Sequence, residues 1–190
     1  MRNSVAVVLL FAAVSAGPAV WGQEQPSKLE VYGGYYFARF NVNADVPGIA
    51  YSAAYNGNGG GGEIEYNLNS WFGAVGDLAG FRATSSPGGT FAGAMFTYLF
   101  GPRVNFRLGR VTPFAQTLFG GAVTTGGIAQ STGAENNFAM TAGGGLDFKV
   151  PSHVSVRPVQ AEYFLTKIPD GLNNRQNNFR FSARVVFRFG

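Results

Sequence analysis

Hydrophobic and polar residues alternate with a period of two along most of the chain. The final segment shows this most clearly, because one face carries Phe179, Phe181, Ala183, Val185, Phe187 and Phe189. The opposite face carries Arg180, Ser182, Arg184, Val186 and Arg188. Successive side chains of a β-strand point to opposite sides of the sheet. No window sustains an apolar stripe of helical period, so the pattern predicts an all-β chain.

The alternation predicts eight strands, at residues 29–40, 60–68, 71–83, 91–108, 111–124, 138–150, 154–168 and 179–189. Tight turns are expected at 69–70, 109–110 and 151–153, and longer connections at 41–59, 84–90, 125–137 and 169–178. Short and long connections therefore fall at opposite ends of the sheet. An even strand number with this asymmetry is typical of an antiparallel, up-and-down transmembrane β-barrel, with the N-terminus in the periplasm and the long loops outside.

The composition fits a sheet whose outer face contacts lipid. Charged residues make up 13% of the chain and aromatic residues 15%, with 28 Gly and 18 Phe, against a usual charged share of about 25%. A soluble domain needs more charged and polar side chains on its surface than this composition supplies. One alternative is a secreted soluble barrel that binds an apolar ligand, in which the apolar faces would turn inward and the arginines outward.

The N-terminal segment has the pattern of a secretory signal peptide. Arg2 provides a short basic start, and an apolar run follows over residues 4–16, which is shorter than the ~20 residues that a membrane-spanning helix needs. We predict a signal peptide at residues 1–22 and a single outer-membrane β-barrel domain at 23–190. Cysteine is absent, which excludes disulfides and thiolate chemistry.

The inward faces of the predicted strands carry charges of both signs. They are expected to form an ion-pair network inside the barrel, made by Glu63, Glu65, Asp77, Arg103, Arg107, Asp147, Arg157, Glu162, Arg180, Arg184 and Arg188. Buried charges are tolerated when each finds a partner of opposite sign. Because side chains can fill the interior of eight strands, we expect a polar plug that fixes the barrel. A narrow channel for ions or small solutes is the alternative.

Two predicted strands do not alternate cleanly. In the fifth strand Phe114, Leu118 and Phe119 do not share one parity, and in the seventh Arg157 differs in parity from Glu162. A β-bulge adds one residue to a strand and reverses its facing, and proline favours such positions. The sequence therefore predicts a bulge near Pro113 or Pro158.

The candidate chemistry for catalysis is weak. The only histidine, His153, lies in a predicted turn at the end of the barrel opposite to Ser85, Ser86 and Ser131. Because a nucleophile needs its base within hydrogen-bond reach, we expect no enzyme. We also expect no metal or cofactor. The net charge of +4 is spread along the chain, so nucleic acid is not an expected partner.

The signal-like start, the eight alternating strands and the closing strand over residues 179–189 resemble the small outer-membrane barrel family, similar to the OmpA membrane domain. The resemblance covers the predicted mature chain. It implies a structural or surface-interaction role, contact with outer-membrane lipid and insertion by the barrel assembly machinery. Phe187 and Phe189 are the candidate assembly signal, although Gly190 stands where family members commonly end in an aromatic residue. An extracellular ligand could meet the loops, where Tyr51 and Tyr55 are candidates for contact.

Overall fold

The computed structural model describes residues 26–46, 49–84, 92–126, 134–150, 153–168 and 175–189. The predicted signal peptide at residues 1–22 lies outside these ranges. Within them, no helix is long and apolar enough to cross a membrane.

Eight antiparallel strands form a closed barrel. They are β1 (Leu29–Val46), β2 (Ile49–Asn67), β3 (Phe72–Thr84), β4 (Ala92–Asn105), β5 (Val111–Gly126), β6 (Glu135–Lys149), β7 (Val154–Thr166) and β8 (Gln176–Phe189). Each strand pairs with the next, and β1 also pairs with β8. The prediction of an eight-stranded, up-and-down barrel is confirmed. Closure leaves no open sheet edge along the wall, so the backbone groups there are satisfied within the sheet.

The two faces of the sheet differ sharply in chemistry. Outward positions carry exposed large apolar side chains on every strand, such as Phe96, Phe119, Phe138 and Phe181. Inward positions of the same strands carry buried polar and charged residues, with Arg180 fully buried beside exposed Phe181. The alternative of a soluble barrel with inward apolar faces and outward arginines is therefore wrong.

The two ends of the barrel are distinct. At the turn end, β2 is followed by β3, β4 by β5 and β6 by β7, and at the loop end β1 is followed by β2, β3 by β4, β5 by β6 and β7 by β8. The predicted turn at 151–153 lies largely outside the described residues. Two predicted tight turns are confirmed. In the first, Asn69 Oδ1 accepts hydrogen bonds from the backbone amides of Trp71 (2.9 Å) and Phe72 (2.8 Å). In the second, Gly109 has a φ of 64°, a conformation that side chains disfavour.

The predicted long loop at residues 41–59 is wrong. β1 and β2 remain paired from Leu29 with Tyr66 as far as Val46 with Ile49. The ladders to the neighbouring strands stop earlier, at Arg39 on β1 and Gly57 on β2. Residues 40–46 and 49–56 thus form a two-stranded extension, called the β1–β2 hairpin below. Its Asn, Ala and Gly residues favour the prediction of a loop because these residue types are depleted in strands. The strands pair here nevertheless, because the hydrogen bonds of the ladder are made by backbone groups.

The bulge in β7 is confirmed at Pro158. The pairing of β7 with β8 shifts register between Arg157 and Gln160, and both of these side chains are buried in the lumen. Proline has no amide hydrogen to donate to the ladder, so a bulge tolerates it. β5 needs no bulge near Pro113, because its register with β6 is continuous from Val111 to Thr124.

Tyrosines mark the loop-end limit of the apolar outer surface. Each donates a hydrogen bond from its hydroxyl to an asparagine on another strand, in the pairs Tyr35–Asn58, Tyr98–Asn136 (3.1 Å) and Tyr163–Asn177. At the turn end, Trp71 is exposed on the outer surface. Amphipathic aromatic side chains favour the two membrane–water interfaces. The surface between these limits is therefore the part that contacts hydrocarbon.

Candidate functional site

The centre of the lumen is organised around one carboxylate. Glu63 on β2 accepts hydrogen bonds from the guanidinium groups of Arg103, Arg157 (3.1 Å) and Arg184 (2.7 Å). All four side chains are fully removed from solvent. Glu63 therefore joins β2 to β4, β7 and β8 through charge-assisted bonds, which are the stronger class of hydrogen bond.

A second group of ion pairs lies beside this centre, on β3, β7 and β8. Arg180 donates from Nη1 to Asp77 and from Nε to Glu162, each at 2.7 Å. Arg184 Nη2 lies 3.3 Å from Asp77 Oδ2. The β7 bulge makes this geometry possible, since it places both Arg157 and Glu162 on the inner face despite their different parity.

The remaining predicted carboxylates are also paired. Asp147 binds Arg157 through two parallel bonds of 2.6 and 2.7 Å. Glu65 accepts from Arg103 (2.6 Å) and from Asn105 (2.6 Å). The structure thus brings nine of the predicted lumen residues into one connected network, made by Glu63, Glu65, Asp77, Asp147, Glu162, Arg103, Arg157, Arg180 and Arg184.

The two other predicted arginines lie near the turn end and have different partners. Arg107 Nη1 is 3.6 Å from Glu30, and its Nε donates to the Ser70 carbonyl at 2.9 Å. Arg188 donates to the Val154 carbonyl (3.0 Å) and to the Ser155 hydroxyl. Among the described residues, the partners of Arg188 are thus a backbone carbonyl and a hydroxyl group of β7 rather than a carboxylate.

Sequence reasoning missed several lumen residues, namely Glu30, Tyr32, Tyr36, Phe114 and Gln116. Tyr32 donates to Glu30 (2.7 Å) and Glu65 (2.8 Å), and Gln116 donates to Glu162 at 2.9 Å. The signal for Glu30, Tyr32 and Tyr36 was their shared even parity on β1. It was obscured because the odd positions of that strand also carry aromatic residues.

Aromatic rings pack against the clustered guanidinium groups. The Arg157 guanidinium carbon lies 3.9 Å from the Phe114 ring centroid and 4.2 Å from that of Tyr32. The Arg184 carbon lies 4.4 Å from the Tyr36 ring. A cation over an aromatic face is attracted by the ring quadrupole, so these rings stabilise positive charge where arginines crowd together.

An apolar layer fills the lumen on the loop side of the charges. Its larger members are Phe40, Phe81, Met95, Leu99, Leu118 and Phe164, all buried. The Phe81 ring makes edge contacts with Phe40 (centroids 6.0 Å apart) and with Tyr36 (6.1 Å). Tyr36 in turn donates to Asp77 at 2.8 Å. This layer, which sequence reasoning also missed, is thus joined directly to the ion-pair network.

The family model of the outer membrane protein beta-barrel domain matches residues 6–189. The chain belongs to this family. It is therefore an outer-membrane β-barrel protein, and the exposed apolar band described above is its lipid-facing surface. Among curated proteins, none matches the chain significantly.

Solved structures show the same fold. Neisserial surface protein A aligns with a TM-score of 0.64 at 12% identity, covering 86% of this chain and 98% of its own. OprG from Pseudomonas aeruginosa aligns at 0.55 and 11% identity, covering 87% and 97%. The attachment invasion locus protein Ail of Yersinia pestis aligns at 0.53 and 17% identity, covering 86% and 99%. At these identities the likeness extends to the fold of the outer-membrane barrel.

Proposed function

We propose that this outer-membrane barrel is a non-conducting, non-enzymatic scaffold that presents the β1–β2 hairpin at the cell surface for interaction. The observation that carries the proposal is the filled lumen. Fixed ion pairs and a layer of packed apolar side chains occupy successive levels of the interior. The alternative of an ion or small-solute channel would require water to pass both levels.

Passage through the lumen would be costly at each level. The charged layer would have to release guanidinium–carboxylate bonds between groups that are fully removed from solvent, which leaves buried charges without partners. The apolar layer would have to part the rings of Phe40, Phe81 and Phe164. Both costs favour a closed core.

Planar-bilayer recording tests this part of the proposal. The purified barrel, reconstituted in phosphatidylcholine bilayers, is expected to show no stepwise conductance, because ion pairs and packed apolar side chains occupy the two levels of the lumen. A large-pore porin reconstituted in parallel verifies that insertion is detected. Reproducible single-channel steps from the folded barrel would contradict the scaffold proposal and favour the channel.

The β1–β2 hairpin is the candidate interaction element. It extends past the last residues that pair with β8 and β3, so it stands beyond the barrel wall. Tyr55, predicted to contact ligands, instead packs against the apolar layer of the lumen. It anchors the hairpin to the barrel. The side chain of Tyr51 lies outside the described residues.

An epitope insertion tests where the hairpin is presented. A short peptide epitope placed between Val46 and Ile49 is expected to bind antibody on intact cells, because the loop end faces outward in this proposal. The matched control carries the same epitope at Gly109 in the β4–β5 turn, and should bind only after permeabilisation. The reverse pattern of labelling would overturn the proposed orientation.

The proposal includes the biogenesis of the barrel. Residues 1–22 direct export as a signal peptide, and the barrel assembly machinery inserts the domain formed by residues 23–190. Phe187 and Phe189 lie exposed on the lipid-facing side of β8, at the turn end. That placement leaves both rings accessible for recognition before the barrel is surrounded by lipid.

A further inference from the structure

A polar cluster interrupts the outer surface of β1, β2 and β3 near the loop end. Arg39 lies opposite Asn56 in the β1–β2 register, and its Nη1 is 3.5 Å from Asn56 Oδ1. Arg82 lies opposite Asn58 in the β2–β3 register. All four side chains are exposed. Two guanidinium groups thus flank two amide side chains on the strand between them.

The cluster lies at a defined depth in the membrane. Asn58 accepts the hydrogen bond of Tyr35, one of the tyrosines that mark the limit of the apolar surface. Arg39 is four residues further along β1 than Tyr35, and Arg82 is level with Asn58. The cluster therefore begins where hydrocarbon contact ends, at the level of the lipid headgroups.

Among the described residues, the positive charge of this cluster has no acidic counterpart. Within the part of the chain that the structure describes, no carboxylate lies within salt-bridge distance of Arg39 or Arg82. The lumen arginines, by contrast, are mostly paired with acids. Arg39 on β1 and Arg82 on β3 lie on either side of β2 at headgroup depth, and neither has an acidic partner among the described residues. Their positive charge and their planar sets of donors suit phosphate groups.

The surface directly below the cluster leaves room for a lipid to approach. Gly60 lies opposite both Tyr35 and Gly80. A Cβ added at Gly80 would meet no atom within 4 Å, and one added at Gly60 would meet only the Gly34 carbonyl, at 3.6 Å. Backbone packing therefore does not demand glycine at these positions. The outer surface beneath the guanidinium groups therefore carries no side chain at Gly60 and Gly80, whereas β4 presents Phe96 opposite Gly80.

We propose that Arg39 and Arg82, with the amides of Asn56 and Asn58, bind the phosphorylated headgroup of an outer-leaflet glycolipid. The arginines bind the phosphate oxygens through charge-assisted hydrogen bonds, and the amides donate to neighbouring oxygens. The lipid, rather than free phosphate, is the occupant because its chains lie along the apolar surface below. This site is separate from the lumen and from the tip of the hairpin.

Lipid retention by the purified barrel tests the site. The wild-type protein is reconstituted in phosphatidylcholine vesicles containing lipid A, re-extracted in mild detergent, and analysed by native mass spectrometry. It is expected to retain lipid A, and 10 mM inorganic phosphate should not displace it. Arg39→Gln and Arg82→Gln should each weaken retention by about tenfold, the loss expected for one charge-assisted hydrogen bond.

Controls separate specific binding from general attraction of charge. Arg110→Gln removes the same charge from an exposed arginine at the turn end and should retain lipid A as the wild type does. Lipid A without its phosphates should be lost from every variant. The difference in gel mobility between unboiled and boiled samples verifies folding of each variant. Equal retention by wild type and Arg39→Gln/Arg82→Gln, equal loss from Arg110→Gln, or displacement by free phosphate would overturn the proposal.

Discussion

Replacing Glu63 with alanine is expected to lower the free energy of unfolding by about 3–5 kcal/mol, the cost of removing one partner from a buried ion pair. Glu63 is bonded to three buried arginines. Its loss removes one bond from each of them and leaves the buried network with one negative charge fewer. Urea unfolding in phosphatidylcholine vesicles measures the effect. Trp71, exposed at the turn end, reports on the transition by its fluorescence.

Two comparison variants isolate the role of charge at Glu63. Glu63→Gln keeps the size of the side chain, so a similar loss of stability assigns the effect to the missing charge rather than to a cavity. Asp147→Asn removes a carboxylate that is bonded to one guanidinium and should cost less. If Glu63→Ala and Asp147→Asn lower the free energy of unfolding by the same small amount, the three bonds of Glu63 do not stabilise the barrel more than the single pair of Asp147 does.

Introducing arginine on the lipid face of β8 is expected to destabilise the barrel by about 2–4 kcal/mol, the cost measured for arginine near the bilayer midplane. Val185 lies in the middle of the β1–β8 ladder, opposite Gly33, and faces outward. Phe181→Arg should behave similarly. The same vesicle unfolding assay measures both variants.

The control for this effect lies on the same face of the same strand. Phe189 is the last residue of β8 and pairs with Leu29 at the turn end, so Phe189→Arg places its charge near an interface and should cost at most about 1 kcal/mol. A cost that does not depend on depth, or a cost near zero at Val185, would mean that this face of β8 does not contact hydrocarbon.

The fold could be predicted from the sequence where the two faces of a strand carry side chains of different chemistry. In β8, phenylalanine alternates with arginine, so the facing of Phe181 and Arg180 was clear from period two alone. The bulge at Pro158 was predictable for the same reason, since Arg157 and Glu162 both had to reach the lumen. The facing of a strand can be predicted from its own sequence when its lipid face and its lumen face carry different types of side chain.

The apolar layer could not be predicted because it uses the residue types of the lipid face. Phe114 and Leu118 point into the lumen while Phe119 points out, and nothing in their chemistry distinguishes them. The extent of the β1–β2 hairpin was missed for a related reason. Backbone hydrogen bonds define that pairing, and the small or polar side chains of residues 41–59 carry little strand preference.

The β1–β8 ladder has a consequence for how the barrel forms. It pairs Leu29 with Phe189, so it joins the two ends of the described chain, whereas the other ladders join strands adjacent in sequence. Bringing distant segments together carries the largest loop-closure entropy, and such contacts form slowly. Before the β1–β8 ladder forms, β1 and β8 each have an unpaired edge that can pair with another chain. Formation of this ladder therefore competes with aggregation, and the yield of folded protein depends on keeping the two edges from other chains until they pair.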